Sequence, residues 1–167
     1  KQLDDLFNAV KGKFEYKIKQ KSPKEIDSLQ INILLDRGYV ELIEELTQEY
    51  VKEAIFLDDY GIGYEIKTKL KELNESGSSI IVSPEADMNS LASSLASVVA
   101  RRARLAEMEN LSKENILIDP ENGKKVLFEN SSPSNPETEE YLITYRKLFP
   151  FSDFPSFVRT IYFFSFA

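Results

Sequence analysis

The sequence predicts an α/β fold in a single domain of 167 residues. Two short apolar runs, Ala54–Asp58 and Ile80–Val82, have the length and composition of buried parallel strands. Between them, Tyr64–Leu73 carries apolar residues at helical spacing, and a parallel strand pair needs a crossover of this kind. A strand, a helix and a second strand in this order are typical of the α/β class.

Periodicity and turn residues predict the elements that precede this unit. Leu3–Val10 has helical spacing that ends at Gly12. Phe14–Ile18 alternates apolar side chains with charged ones, which predicts a half-buried strand. Pro23 predicts a helix start, because proline fits the first helical position. Val40–Val51 places its apolar residues on one face, which predicts an amphipathic helix.

The later part of the chain is predicted to be mostly helical. Asn89–Asn110 has the composition of the longest helix, followed later by a helix over Pro136–Lys147. Pro155 predicts the start of a last helix. We therefore expect an α/β core over residues 1–130 and a C-terminal helical section over residues 131–167, within one domain.

The composition excludes several kinds of chemistry. The chain has no cysteine and no histidine, so it cannot use thiolate or imidazole ligands, nor Ser-His catalysis. Carboxylates are numerous, and they favour hard ions such as Mg²⁺ or Mn²⁺. The formal net charge of −7 provides no general attraction for nucleic acid. No apolar run is long enough to span a membrane and no signal peptide is visible, so a cytoplasmic location is expected.

Asp58 and Asp87 are the candidate metal ligands. Each lies at or just after the carboxyl end of a predicted parallel strand, where α/β proteins collect their functional groups. One helix joins the two strands, so the strands are expected to be neighbours or near-neighbours. Two acids in so acidic a chain are also compatible with two unrelated, solvated side chains.

The helix that follows Asp87 is rich in small residues and hydroxyls. Ser94 and Ser97 could donate hydrogen bonds to phosphate oxygens. The small residues could instead serve only to bring the helix close to the sheet.

These residues together resemble the type 2 ribonucleases H (ribonucleases HII and HIII). Ala86-Asp87, followed by Leu95–Arg101 and then Arg104, is similar to the family signature of an acid and an Ala-Ser-rich helix. Phe56-Leu57-Asp58 is similar to the strand that ends in another catalytic aspartate of the family. The stretch Arg101–Met108 is closer to ribonuclease HIII, whereas Phe154–Arg159 is closer to ribonuclease HII.

The resemblance implies a ribonuclease H-like fold: a mixed sheet flanked by helices. It implies cleavage of the RNA strand of RNA–DNA hybrids by two divalent ions, Mg²⁺ or Mn²⁺, held by four carboxylates. Asp58 and Asp87 would be catalytic metal ligands. The residues that would contact nucleic acid are Ser94, Ser97, Arg101 and Arg104.

The family pattern also includes an early strand with a Gly-x-Asp-Glu-x-Gly motif, which supplies the first two carboxylates. Nothing in Lys1–Val10 matches this motif. We therefore expect an incomplete and inactive chain that lacks the first strands, with the missing N-terminal segment belonging to the same parent chain. Without those strands, the apolar faces of the Asp58 strand and of Ile80–Val82 should be exposed.

Two other functions remain open from the sequence. The first is a non-catalytic ribonuclease H-like binding or scaffold module, against which the presence of both aspartates counts. The second is a general nucleotide-binding α/β domain, but Gly61-Ile62-Gly63 is too short for a glycine-rich phosphate loop.

Overall fold

The computed structural model describes residues 2–49, 54–130, 132 and 134–159. The chain divides into two compact units, one formed by Lys1–Lys21 and Ser28–Arg102 and the other by Ser22–Asp27 and Ala103–Ala167. The division after Arg102 lies inside the longest helix, whereas the sequence prediction began a C-terminal section at residue 131. The single-domain organisation stays a prediction.

Helices and strands alternate through the first unit, as the sequence predicts, so the α/β class is confirmed. In chain order the described elements are α1 (Gln2–Val10), α2 (Pro23–Ser28), α3 (Ile31–Glu49), β1 (Ala54–Asp58), α4 (Tyr64–Glu75), β2 (Ser79–Ser83), α5 (Ala86–Asn89), α6 (Leu91–Glu114), β3 (Ile116–Ile118), β4 (Lys125–Leu127) and α7 (Pro136–Leu148). Both strand orientations occur, in two separate two-stranded sheets among the described residues.

The β1 and β2 strands pair in parallel, which confirms that they are neighbours. Their register places Ala54 opposite Ser79 and Asp58 opposite Ser83, so both strands end at the same edge. α4 provides the crossover between them, and its buried face carries Ile66 and Leu70. These two residues pack with Ile43 of α3 and Leu57 of β1 to form the core of the first unit.

The prediction that both strands are buried is wrong. In β1 only Leu57 is buried, while Phe56 remains 40% exposed. In β2, Ile81 and Val82 are also exposed. The apolar composition predicts that both faces of the sheet are covered. Among the described residues the sheet has only two strands, and the elements packed on it leave part of its apolar surface exposed.

The predicted strand over Phe14–Ile18 is also wrong, since residues 15–22 form neither helix nor strand. A strand needs a neighbour to receive its backbone hydrogen bonds, and no described strand pairs with this segment. Aromatic contacts hold it instead: the Tyr16 ring lies 6.3 Å from that of Phe7 and 5.9 Å from that of Phe14.

The second unit contains a β-hairpin and a capped helix. β3 and β4 pair antiparallel, and the turn between them contains Gly123 in the left-handed region (φ 72°). Asn135 caps α7 by accepting a hydrogen bond from the Glu137 amide at 2.9 Å. The buried residues of this core are Val126, Phe128, Tyr141, Leu142 and Val158.

Of the three helices predicted to start at a proline, those at Pro23 and Pro136 are confirmed and the one at Pro155 is not. At α2, the Ser22 amide donates to Glu25 Oε2 at 2.7 Å and the Glu25 amide donates to Ser22 Oγ at 3.3 Å, which is a reciprocal capping box. α7 begins at Pro136 as predicted. Residues 155–159 form a turn and irregular backbone, so the predicted last helix is wrong there, and its remainder lies outside the described residues.

In the part of the chain that the structure describes, no helix combines the length and the apolar character needed to cross a bilayer.

Candidate metal centre

The two candidate ligands lie at the carboxyl edge of the parallel strands. Asp58 is the last residue of β1, and Asp87 lies in the short helix α5 that follows β2. The amide of Ala86 donates to Asp58 Oδ1 at 3.2 Å. This bond ties the side chain of Asp58 to the backbone immediately before Asp87.

Asp58 and Asp87 both line one cavity of about 450 Å³ within the first unit. Both aspartates are exposed. The cavity walls come from the segment before α2, from α3, from β1 and from the first turns of α6. They include Tyr16, Lys17, Lys19, Lys21, Leu34, Gly38, Tyr39, Phe56, Ser93, Ala96, Ser97 and Ala100.

One face of α6 forms the wall beside the aspartates. Ser93, Ala96, Ser97 and Ala100 follow one another at the three- and four-residue spacing of a helix face, and all four line the cavity. The Oγ atom of Ser93 is fully buried and has no hydrogen-bond partner among the described residues. This face therefore brings small side chains to the cavity, and of its two serines Ser97 is the exposed one.

The other residues predicted to contact nucleic acid are placed differently. Ser94 is half-buried and does not line the cavity in the described structure. Arg101, one helical turn beyond Ser97, is exposed and also lies outside the lining residues. Arg104 lies in the second unit. Of the four predicted contacts, the structure brings Ser97 to the aspartates.

Three lysines, Lys17, Lys19 and Lys21, also line the cavity, but glutamates of α3 pair with two of them. Lys19 forms ion pairs with Glu45 and, at 3.9 Å, with Glu41. Lys21 lies 3.4 Å from Glu41. The hydrogen bond to Glu45 raises the pKa of Lys19, so this ammonium group stays charged at neutral pH. The positive charges of Lys19 and Lys21 are thus balanced by Glu41 and Glu45 of the same chain.

Two tyrosines adjoin the site. Tyr39 of α3 stacks on Tyr60 with ring centroids 5.1 Å apart and planes inclined by 13°. Burial, and to a smaller extent the charge of Asp58, raises the pKa of Tyr39. Burial and a hydrogen bond to Asp36 raise the pKa of Tyr60. Both phenols are therefore protonated at neutral pH.

Glu85, two residues before Asp87, has a strained backbone. Its φ of 56° and ψ of 38° lie in the left-handed region, which costs a residue with a side chain roughly 1–2 kcal/mol. The Glu85 carbonyl accepts from the Met88 amide at 2.9 Å, so the strained turn leads directly into α5. This turn sets the position of Asp87 relative to β2.

The donors present suit one hydrated divalent ion better than two. Asp58 and Asp87 offer carboxylate oxygens, and Mg²⁺ is commonly held by one or two carboxylates, with water completing its shell. Neither of the neighbouring acids lines the cavity: Asp59 Oδ1 accepts from the Gly61 amide, and Asp36 Oδ1 accepts from the Gly63 amide. Among the described residues, no group of three or more acidic side chains is placed to hold a metal ion.

Sequence reasoning missed several residues of this site. Lys17, Lys19 and Lys21 line the cavity, although the segment that carries them forms no strand. Sequence reasoning gave no role to Tyr39 or Asp36, because both precede the helix predicted over Val40–Val51, whereas in the structure both lie in α3. The α6 serines were visible in the sequence, but which of them faces the cavity depends on the helix rotation.

Fold and site together define an α/β protein with a carboxylate pair at the shared edge of two parallel strands. Residues 5–162 match the family described as Ribonuclease HII. Because this match covers most of the chain, the chain belongs to the ribonuclease HII family, and its fold is ribonuclease H-like. Members of the family are divalent-metal-dependent ribonucleases H that act on RNA–DNA hybrids. Neither the curated proteins nor the solved structures include a significant match.

Proposed function

We propose that this chain carries half of the metal centre of an endoribonuclease that cleaves the RNA strand of RNA–DNA hybrids. The observation that supports this most directly is that Asp58 and Asp87 line one cavity, with Asp58 Oδ1 bonded to the backbone before Asp87. Family membership provides the substrate class. The proposed metal ligands are Asp58 and Asp87, and the proposed ion is Mg²⁺ or Mn²⁺.

In this proposal, two bound divalent metal ions would supply the activation of the attacking water and the stabilisation of the leaving oxygen. The chain's own residues bind and orient. Asp58 and Asp87 present carboxylate oxygens at one edge of the cavity. Ser97 on the α6 wall donates to a phosphate oxygen of the hybrid. Ser94, Arg101 and Arg104 are proposed as further phosphate contacts on the basis of the family resemblance.

The chain contributes little attraction to nucleic acid through its total charge. Its net charge of −7 repels a polyanion, and Lys19 and Lys21 are paired with glutamates. Hybrid binding must therefore depend on bound metal ions and on local hydrogen bonds. We expect hybrid affinity to depend strongly on divalent metal for this reason.

Two carboxylates are too few to hold two ions in working geometry. We propose that the remaining carboxylates come from a segment of the parent chain that precedes Lys1. The exposed apolar residues Phe56, Ile81 and Val82 support a place for additional strands, as does the segment over residues 15–22, which pairs with none of the described strands. The coding sequence upstream of Lys1 should then encode an Asp-Glu pair, and a start codon there with no such pair upstream would contradict the proposal.

A cleavage assay tests the proposed incompleteness. The purified chain, incubated with a labelled RNA–DNA hybrid and Mg²⁺ or Mn²⁺, should produce no cleavage above background. Cleavage that Asp58→Asn abolishes would refute the claim that this chain is inactive, while it would support the nuclease assignment. An Asp5→Asn variant, changed at an exposed position of α1 outside the cavity, is the matched control.

The alternative is a non-catalytic ribonuclease H-like binding or scaffold module. The pairing of Lys19 and Lys21 with glutamates favours it, as does the engagement of Asp36 and Asp59 in hydrogen bonds. Absence of Mn²⁺ binding at millimolar metal would support this module over the nuclease.

A further inference from the structure

Asp36 is a buried acid that the proposed chemistry does not use. It lies in α3, is 5% exposed, and forms no ion pair with a lysine or arginine among the described residues. Burial of a carboxylate is costly unless hydrogen bonds compensate it. Asp36 Oδ1 accepts two such bonds, one from the Tyr60 hydroxyl at 3.0 Å and one from the Gly63 amide at 2.8 Å.

Both donors lie in the loop that follows Asp58. The fit at Gly63 is especially close: a Cβ atom added there would lie 2.1 Å from Asp36 Oδ2 and 2.9 Å from its Cγ. Since the φ of Gly63 is −86°, glycine is needed for space and not for backbone conformation. The Asp36 carboxylate therefore packs directly on the backbone at the start of α4.

Other hydrogen bonds fix this loop, residues 59–63, where it leaves β1 and between its own residues. The Asp59 amide donates to the Ser83 carbonyl at 3.0 Å, which joins the residue after Asp58 to the end of β2. Asp59 Oδ1 accepts from the Gly61 amide at 3.0 Å. The Tyr60 ring stacks on Tyr39, so α3 holds the loop through a ring contact as well as through Asp36.

We propose that Asp36 is a positioning residue that holds Asp58 toward the cavity through Tyr60 and Gly63. The consequence for metal binding rests on the proposed function, whereas the consequence for the conformation of Asp58 does not. Asp36 itself is not a ligand, because its Oδ1 is occupied by two donors and its Oδ2 is packed against Gly63.

The variant Tyr60→Phe tests this role by removing one of the two hydrogen bonds while keeping the ring. The matched control is Tyr64→Phe, the same change at a side chain that is 83% exposed. The first readout is amide hydrogen exchange at Ala86, whose N–H donates to Asp58 Oδ1. Loss of one net hydrogen bond should speed this exchange by about 2- to 10-fold, without a similar change in the β1–β2 ladder.

The second readout is Mn²⁺ binding by calorimetry. Tyr60→Phe should weaken it by about 2- to 10-fold, Asp36→Ala should weaken it further, and Tyr64→Phe should leave it unchanged. Unchanged exchange at Ala86 in both Tyr60→Phe and Asp36→Ala would overturn the proposal. An equal rise throughout the β1–β2 ladder would also overturn it, because that result indicates general destabilisation. If the unaltered chain binds no Mn²⁺, the proposed function fails, while local exchange at Ala86 still decides the role of Asp36.

Discussion

At the scale of single residues, backbone position accounts for the candidate metal centre better than side-chain contacts do. Asp58 faces the cavity because it ends β1, and Asp87 faces it because the strained turn at Glu85 redirects the chain after β2. Strain at a site of this kind is commonly retained because the geometry serves function. The turn therefore has an energetic cost that a substitution should reveal.

Glu85→Gly should stabilise the chain or leave its stability unchanged. Glycine adopts the left-handed region without the steric cost, so the free energy of unfolding should rise by up to roughly 1 kcal/mol. Lys67→Gly, at an exposed position inside α4, should instead lower it by about 1 kcal/mol. Urea unfolding of both variants provides the measurement, and a loss at Glu85 as large as that at Lys67 would contradict this account.

Residue-level reasoning from the sequence found the aspartates but not the residues that support them. An acid at the end of an apolar run is distinctive, because the strand direction determines where it lies. Asp36 has no such signal, because it precedes the helix predicted over Val40–Val51 and no pattern in the sequence indicates that it is buried. Its burial depends on Gly63, which is distant in the sequence and becomes adjacent only when α3 packs beside α4.

At the scale of elements, helices and the strand–helix–strand unit could be predicted, whereas isolated strands could not. Helices satisfy most of their backbone hydrogen bonds locally, so periodicity and proline positions locate α1, α4 and α7 well. The segment Phe14–Ile18 has a strand pattern but no partner among the described strands. The β3–β4 hairpin was missed because its strands have three residues each, too few to establish an alternating pattern.

Helix α7 offers a test of packing at this scale. Leu142 is 5% exposed in the core of the second unit, whereas the next residue, Ile143, is 52% exposed. Leu142→Ala should lower the free energy of unfolding by about 2–5 kcal/mol through lost burial and a residual cavity. Ile143→Ala is the control and should change it by less than about 1 kcal/mol. Equal effects in thermal or urea unfolding would show that the assigned face of α7 is wrong.

At the scale of the whole molecule, the family match defines the class of protein, whereas the metal site and its completeness stay proposals. Residues 5–162 match the ribonuclease HII family. Asp58 and Asp87 line the cavity, and Asp36 and Asp59 are engaged in hydrogen bonds. The sequence predicted this pair from the strand ends. That both aspartates line the same cavity could not follow from the sequence alone, because it depends on the β1–β2 register and on the turn after β2.

Calorimetric titration with Mn²⁺ tests the central claim, that Asp58 and Asp87 share a divalent cation, more directly than any other measurement. The unaltered chain should bind one ion. Asp58→Asn and Asp87→Asn should each weaken this binding by about tenfold or more, because each removes a charged ligand, whereas the control Asp5→Asn should bind as the unaltered chain does. Binding that survives in both cavity variants, or no binding by the unaltered chain at millimolar Mn²⁺, would contradict the account.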